Sequence, residues 1–205
     1  MSVSSLIRRA AVVAVSSVLT LAGAAGAADA GAADAGAADS RQVSRVDLGR
    51  YAGTWYQIAA MPQLFEIQCK KNVRAQYTPQ SDGSVGVRNS CTTWWGSTSE
   101  VKGAARPLDE SNTRLNVSFT PRPGGGYVHG KDANYVVVGL APDYSWAAVT
   151  NEERSAGFLL SRTPALRSEA SAAAIEAFTD AGIDPCDLRL TRQDGGVARP
   201  APLCR

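Results

Sequence analysis

One histidine, four cysteines and a scatter of carboxylates are the side chains of this 205-residue sequence that could carry chemistry. A histidine can serve as a general base near neutral pH. His129, however, follows the run Gly124-Gly125-Gly126, with no serine or carboxylate at a spacing that would build a relay. It reads as a solvated loop residue. Glu66, Glu100 and Asp109 are spread along the chain, whereas acid–base chemistry needs groups positioned together on the reacting atoms. The sequence contains no G-x-S-x-G elbow, no Walker loop and no H-E-x-x-H pair. A single histidine without a Cys-x-x-Cys pair offers no basis for a zinc site. The sequence therefore assigns no catalytic residue, no metal and no cofactor, and predicts that the chain is not an enzyme.

The elements around these residues point instead to a shape. The 44% hydrophobic content suits one packed domain with accessories. A formal charge of +2 excludes a nucleic-acid protein that works by blanket phosphate neutralisation. From residue 53 onward, short β-rich runs alternate with turn residues, predicting strands over 53–61, 72–79, 84–93, 97–108, 113–121, 134–141, 145–151 and 156–162. Ser81-Asp82-Gly83 is a hairpin signal, because glycine accepts the positive φ such a turn requires. Eight antiparallel strands at regular spacing predict an all-β fold, an up-and-down barrel or a sandwich. A helix over 165–181 follows, with Gly182 as its stop, then a short strand at Leu188-Arg189-Leu190 and a Pro/Gly-rich tail over 194–205.

Side chains two apart on a strand share a face. Val73, Ala75 and Tyr77 thus form one inward row, Val85, Val87 and Asn89 a second, and Leu115, Val117 and Phe119 a third. Tyr77 and Asn89 place polar groups in this apolar interior. In a filled core each needs a hydrogen-bond partner; in a ligand cavity each becomes an orienting group. On the cavity reading, Tyr77→Ala changes ligand affinity with little loss of folding.

The N-terminal part follows different rules. Arg8 and Arg9 precede an apolar stretch from Ala10 to Leu21 and small residues with A-x-A cleavage options, the pattern of a secretory signal peptide over 1–27. The stretch is too short to span a bilayer, which needs about 20 apolar residues. Ala24 stands where a lipid-anchored bacterial precursor carries its cysteine, so a secreted, extracytoplasmic product is expected. Residues 28–45 read as an Ala/Gly/Asp-rich linker unable to bury a core. In an exported chain the even set Cys69, Cys91, Cys186 and Cys204 implies two disulfides. Four cysteines permit three pairings. The local one, Cys69–Cys91 with Cys186–Cys204, suits hairpin neighbours, but spacing alone does not choose.

Three segments then carry a resemblance. Gly53-Thr54-Trp55-Tyr56 opens the first strand, Pro142-Asp143-Tyr144 joins the sixth and seventh, and Leu160-Ser161-Arg162-Thr163-Pro164 ends the eighth. Together and in this order they resemble the lipocalin family, in its apolipoprotein D-like and bacterial branch, over residues 46–193. The resemblance implies an eight-stranded up-and-down calycin barrel with one C-terminal helix. It implies a small hydrophobic ligand such as a fatty acid, a lysophospholipid or an isoprenoid-like molecule. Gly53, Trp55 and Arg162 would close the barrel, with the guanidinium laid over the indole. The matching inward positions for ligand are Gln57, Ala59, Tyr77, Asn89, Phe119, Val137 and Phe158. The resemblance also favours Cys69–Cys204 with Cys91–Cys186, tying the tail to the second strand. Leu64-Phe65-Glu66-Ile67 would sit in a long first loop at the open end. Trp94-Trp95 would either pack under a loop or form a rim contact with ligand, a membrane surface or a protein. A monomer without nucleic-acid partner or transmembrane segment is expected. Two rival readings remain: a protein-binding barrel with a filled interior, and an enzyme built on a calycin barrel.

Overall fold

The computed structural model describes residues 43–204, and the expected signal peptide and most of the expected linker lie outside the described residues. These residues fall in one compact unit, 38–205, which contains the whole sheet and both disulfides. A single helical turn, α1 (Leu48–Tyr51), leads into β1 (Gly53–Ala60), β2 (Cys69–Pro79), β3 (Val85–Thr93) and β4 (Thr98–Pro107). Then follow β5 (Arg114–Ser118), β6 (Tyr135–Leu140), β7 (Trp146–Thr150) and β8 (Gly157–Ser161). Each strand pairs antiparallel with the next, and β1 pairs with both β2 and β8, which closes the barrel. Closure removes the unpaired sheet edges that an open arrangement would expose.

Two connections need side chains to complete them. β5 and β6 share only two residue pairs. Beside them the Asn134 amide accepts from the Val117 N–H at 2.7 Å and donates to the Val117 carbonyl at 2.8 Å, acting as one more rung. β1 and β2 pair from Gly53 to Tyr56 and then diverge. A short strand, β9 (Arg189–Leu190), takes up β1 at Ala59 and Ala60. Just beyond it, the buried Gln193 donates to the carbonyls of Gln57 and Val73, at 2.8 and 2.9 Å, spanning the gap.

Apolar residues divide into two clusters. The inner one includes Tyr51, Trp55, Tyr77, Val87, Leu115, Val149 and Leu160. The outer one packs Ile58, Ala148, Leu159 and Leu188 against Ala174, Ala177 and Phe178 of α2 (Ser168–Asp180). The helix is shorter than 165–181 because Arg167 is still extended at its N-cap, while Gly182 ends it with φ +75°. Small residues set how near α2 lies. A Cβ on Gly139 would meet the Ala177 Cβ at 2.5 Å and the Trp146 ring at 3.1 Å. Gly139→Ala is therefore expected to destabilise by about 1–3 kcal/mol through overpacking. Urea unfolding measures it, and an unchanged midpoint would mean that α2 is free to retreat.

The disulfides correct the pairing taken from the resemblance. Cys69 bonds Cys91 and Cys186 bonds Cys204, with Cα separations of 5.6 and 5.0 Å, instead of Cys69–Cys204 with Cys91–Cys186. Neighbouring strands explain the first, since Cys69 pairs with Thr93 across the β2–β3 ladder, two residues from Cys91. The tail explains the second. It folds back along β9, where Leu203 N–H donates to the Leu188 carbonyl at 2.9 Å, and so delivers Cys204 to Cys186.

Candidate functional site

The barrel is closed at the end where α1 crosses it. Trp55 is wholly buried there, and its indole N–H donates to the Tyr51 carbonyl at 2.8 Å. The Arg162 guanidinium lies 3.8 Å from the centre of the Trp55 ring. It also donates to the carbonyls of Arg50 (2.7 Å), Ala52 (2.8 Å) and Thr54 (3.1 Å). These carbonyls belong to α1's last turn and the entry to β1, where partial negative charge gathers and favours a cation. Gly53 has φ +96°, and a Cβ there would come 3.3 Å from the Arg162 Nη1. A side chain would thus both strain the backbone and crowd the cation. Tyr144 joins the same end: its hydroxyl accepts from the Asp47 N–H at 3.0 Å, and Arg50 covers its ring at 4.0 Å.

Above this plug lies a cavity of about 610 Å³ that opens at the other end of the barrel. Gln57, Tyr77, Asn89, Phe119 and Phe158 line it. Two of the inward positions expected from sequence do not. Ala59 is buried outside the sheet, in the cluster facing α2, because the β1–β8 register shifts between Gln57 and Ala59 and a bulge reverses the alternation. Val137 does face inward but sits lower, in the plug, beside a residual void of about 20 Å³. Sequence reasoning missed Tyr135, which lines both spaces; its signal was available, two residues before Val137 on the same strand face.

Polar groups in the cavity wall include Gln57, Glu66, Arg74, Tyr77, Asn89 and Tyr135. The hydroxyls of Tyr51 and Tyr135 lie 2.8 Å apart, and those of Tyr135 and Tyr77 3.2 Å apart. Burial holds all three phenols protonated, pushing Tyr77 up to about 12 and raising Tyr51 and Tyr135 well above the ordinary phenol value. Two hydrogen bonds consume two of the three hydroxyl protons, so the cluster keeps one donor in hand. The Asn89 Oδ1 is buried without a hydrogen-bond partner among the described residues. Nearer the mouth, the Glu66 carboxylate accepts from the Gln57 Nε2 at 3.0 Å, and burial pushes this carboxyl up from its ordinary value.

Tyr77 therefore has two roles. Its ring stacks on Tyr51, at 5.7 Å between centres, within the inner cluster. The expectation that Tyr77→Ala would spare folding is corrected accordingly: truncation removes both packing and cavity wall. Tyr77→Phe keeps the ring and is expected to cost only about 0.5–1.5 kcal/mol. Melts of the two variants side by side check this, and equal losses would refute the packing role.

Other sequence candidates lie elsewhere. His129 is half-buried rather than solvated, with Nδ1 3.1 Å from the Asn116 carbonyl and 3.2 Å from its Oδ1. Trp94 and Trp95 are exposed rather than packed under a loop.

Comparison with known proteins agrees with this geometry. Residues 46–193 match the family model described as a lipocalin-like domain. The chain is 30% identical over 154 residues to temperature-induced lipocalin-1 of Arabidopsis thaliana, covering 74% of this chain and 81% of that protein. It is 32% identical over 158 residues to the outer membrane lipoprotein Blc of Citrobacter freundii, covering 75% and 82% respectively. Among solved structures, insecticyanin from the tobacco hornworm Manduca sexta superposes with a TM-score of 0.58 at 16% identity, covering 78% of this chain and 92% of that one.

Proposed function

The chain belongs to the lipocalin family, and from that premise we propose that it binds and carries a small hydrophobic ligand inside the barrel. The observation that carries this reading is the open cavity of about 610 Å³. That volume lies within the range of small-molecule sites, about 300–1,000 Å³. Its wall is largely apolar, with the phenol cluster at its base. Each methylene moved from water into such a wall contributes about 0.8 kcal/mol. Ten of them supply about 8 kcal/mol before the cost of association. Fatty acids, lysophospholipids and isoprenoid-like molecules are the candidate ligands. The two disulfides favour an oxidising, extracytoplasmic setting, and the protein acts there as a secreted monomer. Among the described residues no helix is long and apolar enough to cross a membrane.

A protein-binding barrel with a filled interior is the rival reading, and a cavity of this size counts against it. The test is a titration of delipidated residues 40–205, disulfides intact, with a fluorescent fatty acid. Saturation near one ligand per chain, reversed by unlabelled lipid, is expected. A folded sample without saturable binding would refute the carrier reading.

A further inference from the structure

The largest apolar surface of the described residues lies beside the mouth of the cavity. Leu64 is 88% exposed, Phe65 63%, Ile67 75%, Trp94 58% and Trp95 83%. They come from two neighbouring segments, the β1–β2 connection and the β3–β4 turn. In that turn Thr93 N–H donates to the Ser97 carbonyl at 2.8 Å and Gly96, at φ +82°, reverses the chain. Trp94 and Trp95 are its central residues, so their rings project from the tip. The segments are also fastened together. The Trp94 indole N–H donates to the Ile67 carbonyl at 3.0 Å, and Cys69–Cys91 bonds the strands immediately below. Five large apolar side chains are thereby held outward on a fixed platform, a contiguous patch of the kind that marks an interaction surface on a monomer.

We infer that this edge of the rim docks on a lipid bilayer carrying anionic head groups, which deepens and rests on the carrier reading above. Charge selects that occupant. Residues 61–69 and 91–99 together contain a single charged side chain, Glu66, and its carboxylate turns inward to Gln57. The exposed Lys70 follows directly and places a cation beside the apolar tip, whereas Lys71 is paired with Asp194 at 2.8 Å and Glu100, next to the second segment, with Arg88 at 2.6 Å. Bilayers with anionic lipids attract basic residues next to an inserted apolar segment, and tryptophan favours the membrane–water boundary. Self-association fits less well. A two-fold contact through the same patch would bring the exposed Lys70 of both copies to one seam. The other side of the mouth, the β7–β8 turn with Glu152, Glu153 and Arg154, is charged and would remain in water. Phe65 belongs to both the patch and the cavity wall. An apolar ligand could thus pass from bilayer to barrel along continuous apolar surface.

The test uses residues 40–205, which contain the complete barrel and both disulfides, with sedimented vesicles. One set is phosphatidylcholine alone; the other contains about one-third phosphatidylglycerol. The protein is expected to partition onto the second set, with a blue shift in tryptophan emission, since Trp55 and Trp146 are already buried. The double variant Leu64→Ser/Trp95→Ser is expected to partition at least about tenfold more weakly with an unchanged melting midpoint. Lys70→Glu is expected to weaken binding about fivefold, on the anionic vesicles only. Absence of partition, or equal partition of the rim variant, would overturn the proposal. So would a dimer in sedimentation equilibrium that the rim variant abolishes without any vesicle binding. The vesicle-free fatty-acid titration of the same sample keeps the readings apart. Ligand binding without partition overturns docking alone, and partition without ligand binding overturns the carrier reading while supporting docking.

Discussion

Trp55→Ala is expected to lower stability by about 3–5 kcal/mol, the range for truncating a large buried aromatic side chain. At about 2–4 °C per kcal/mol for a domain of this size, the melting midpoint should fall by about 6–20 °C. The effect has three parts. The indole fills the closed end of the barrel, its N–H ties β1 to the end of α1, and its face carries the Arg162 cation. Without it the guanidinium keeps its carbonyl partners but loses the ring, a contact worth about 0.5–2 kcal/mol. The residue does not line the large cavity, so ligand affinity measured well below the midpoint should change little. Thermal melts followed by circular dichroism, with ligand titrations at low temperature, check both statements. An unchanged midpoint with abolished ligand binding would show that Trp55 belongs to the ligand site.

Replacing all four cysteines by serine should remove about 6 kcal/mol in total. The loops closed are 22 and 18 residues long, and chain-entropy arithmetic assigns each about 3 kcal/mol. The long-range pairing would close much longer loops and contribute about 10 kcal/mol by the same arithmetic, so the size of the loss discriminates between the two. Paired single-bridge variants divide it further. Cys69→Ser/Cys91→Ser should also loosen the β1–β2 connection and the rim beside it, whereas Cys186→Ser/Cys204→Ser should free the tail alone. Urea unfolding at equilibrium measures the losses, and peptide mapping without reduction reads the pairing directly. A Cys69–Cys204 cross-linked peptide would overturn this assignment.

Much of the barrel was legible before any coordinates. The lipocalin resemblance assigned Gly53, Trp55 and Arg162 to the closed end, while period-two alternation placed Tyr77, Val87, Asn89 and Leu115 on the inner face. These are local properties, since a strand's pleat decides its faces residue by residue. Ala59 shows where that rule ends. The bulge after Gln57 moved it to the helix side, and a bulge depends on the partner strand's register rather than on the strand's own pattern.

The sequence by itself determined the succession of strands, the inner face of most of them and the apolar character of the interior, while the up-and-down order and the Trp55–Arg162 pair at the closed end came only through the lipocalin resemblance. Only the tertiary structure decided which cysteines meet, that Gln193 spans the gap between β1 and β2, and that three phenols converge at the cavity base. It alone decided that the barrel holds open space above Trp55 and that Trp94 and Trp95 face outward. The physical reason is common to all of these. Periodicity is written in neighbours along the chain. Cavity volume, cross-strand bonding and rim exposure are sums over residues as far apart as Tyr51 and Tyr135, or Gln57 and Gln193, which only the closed sheet brings together.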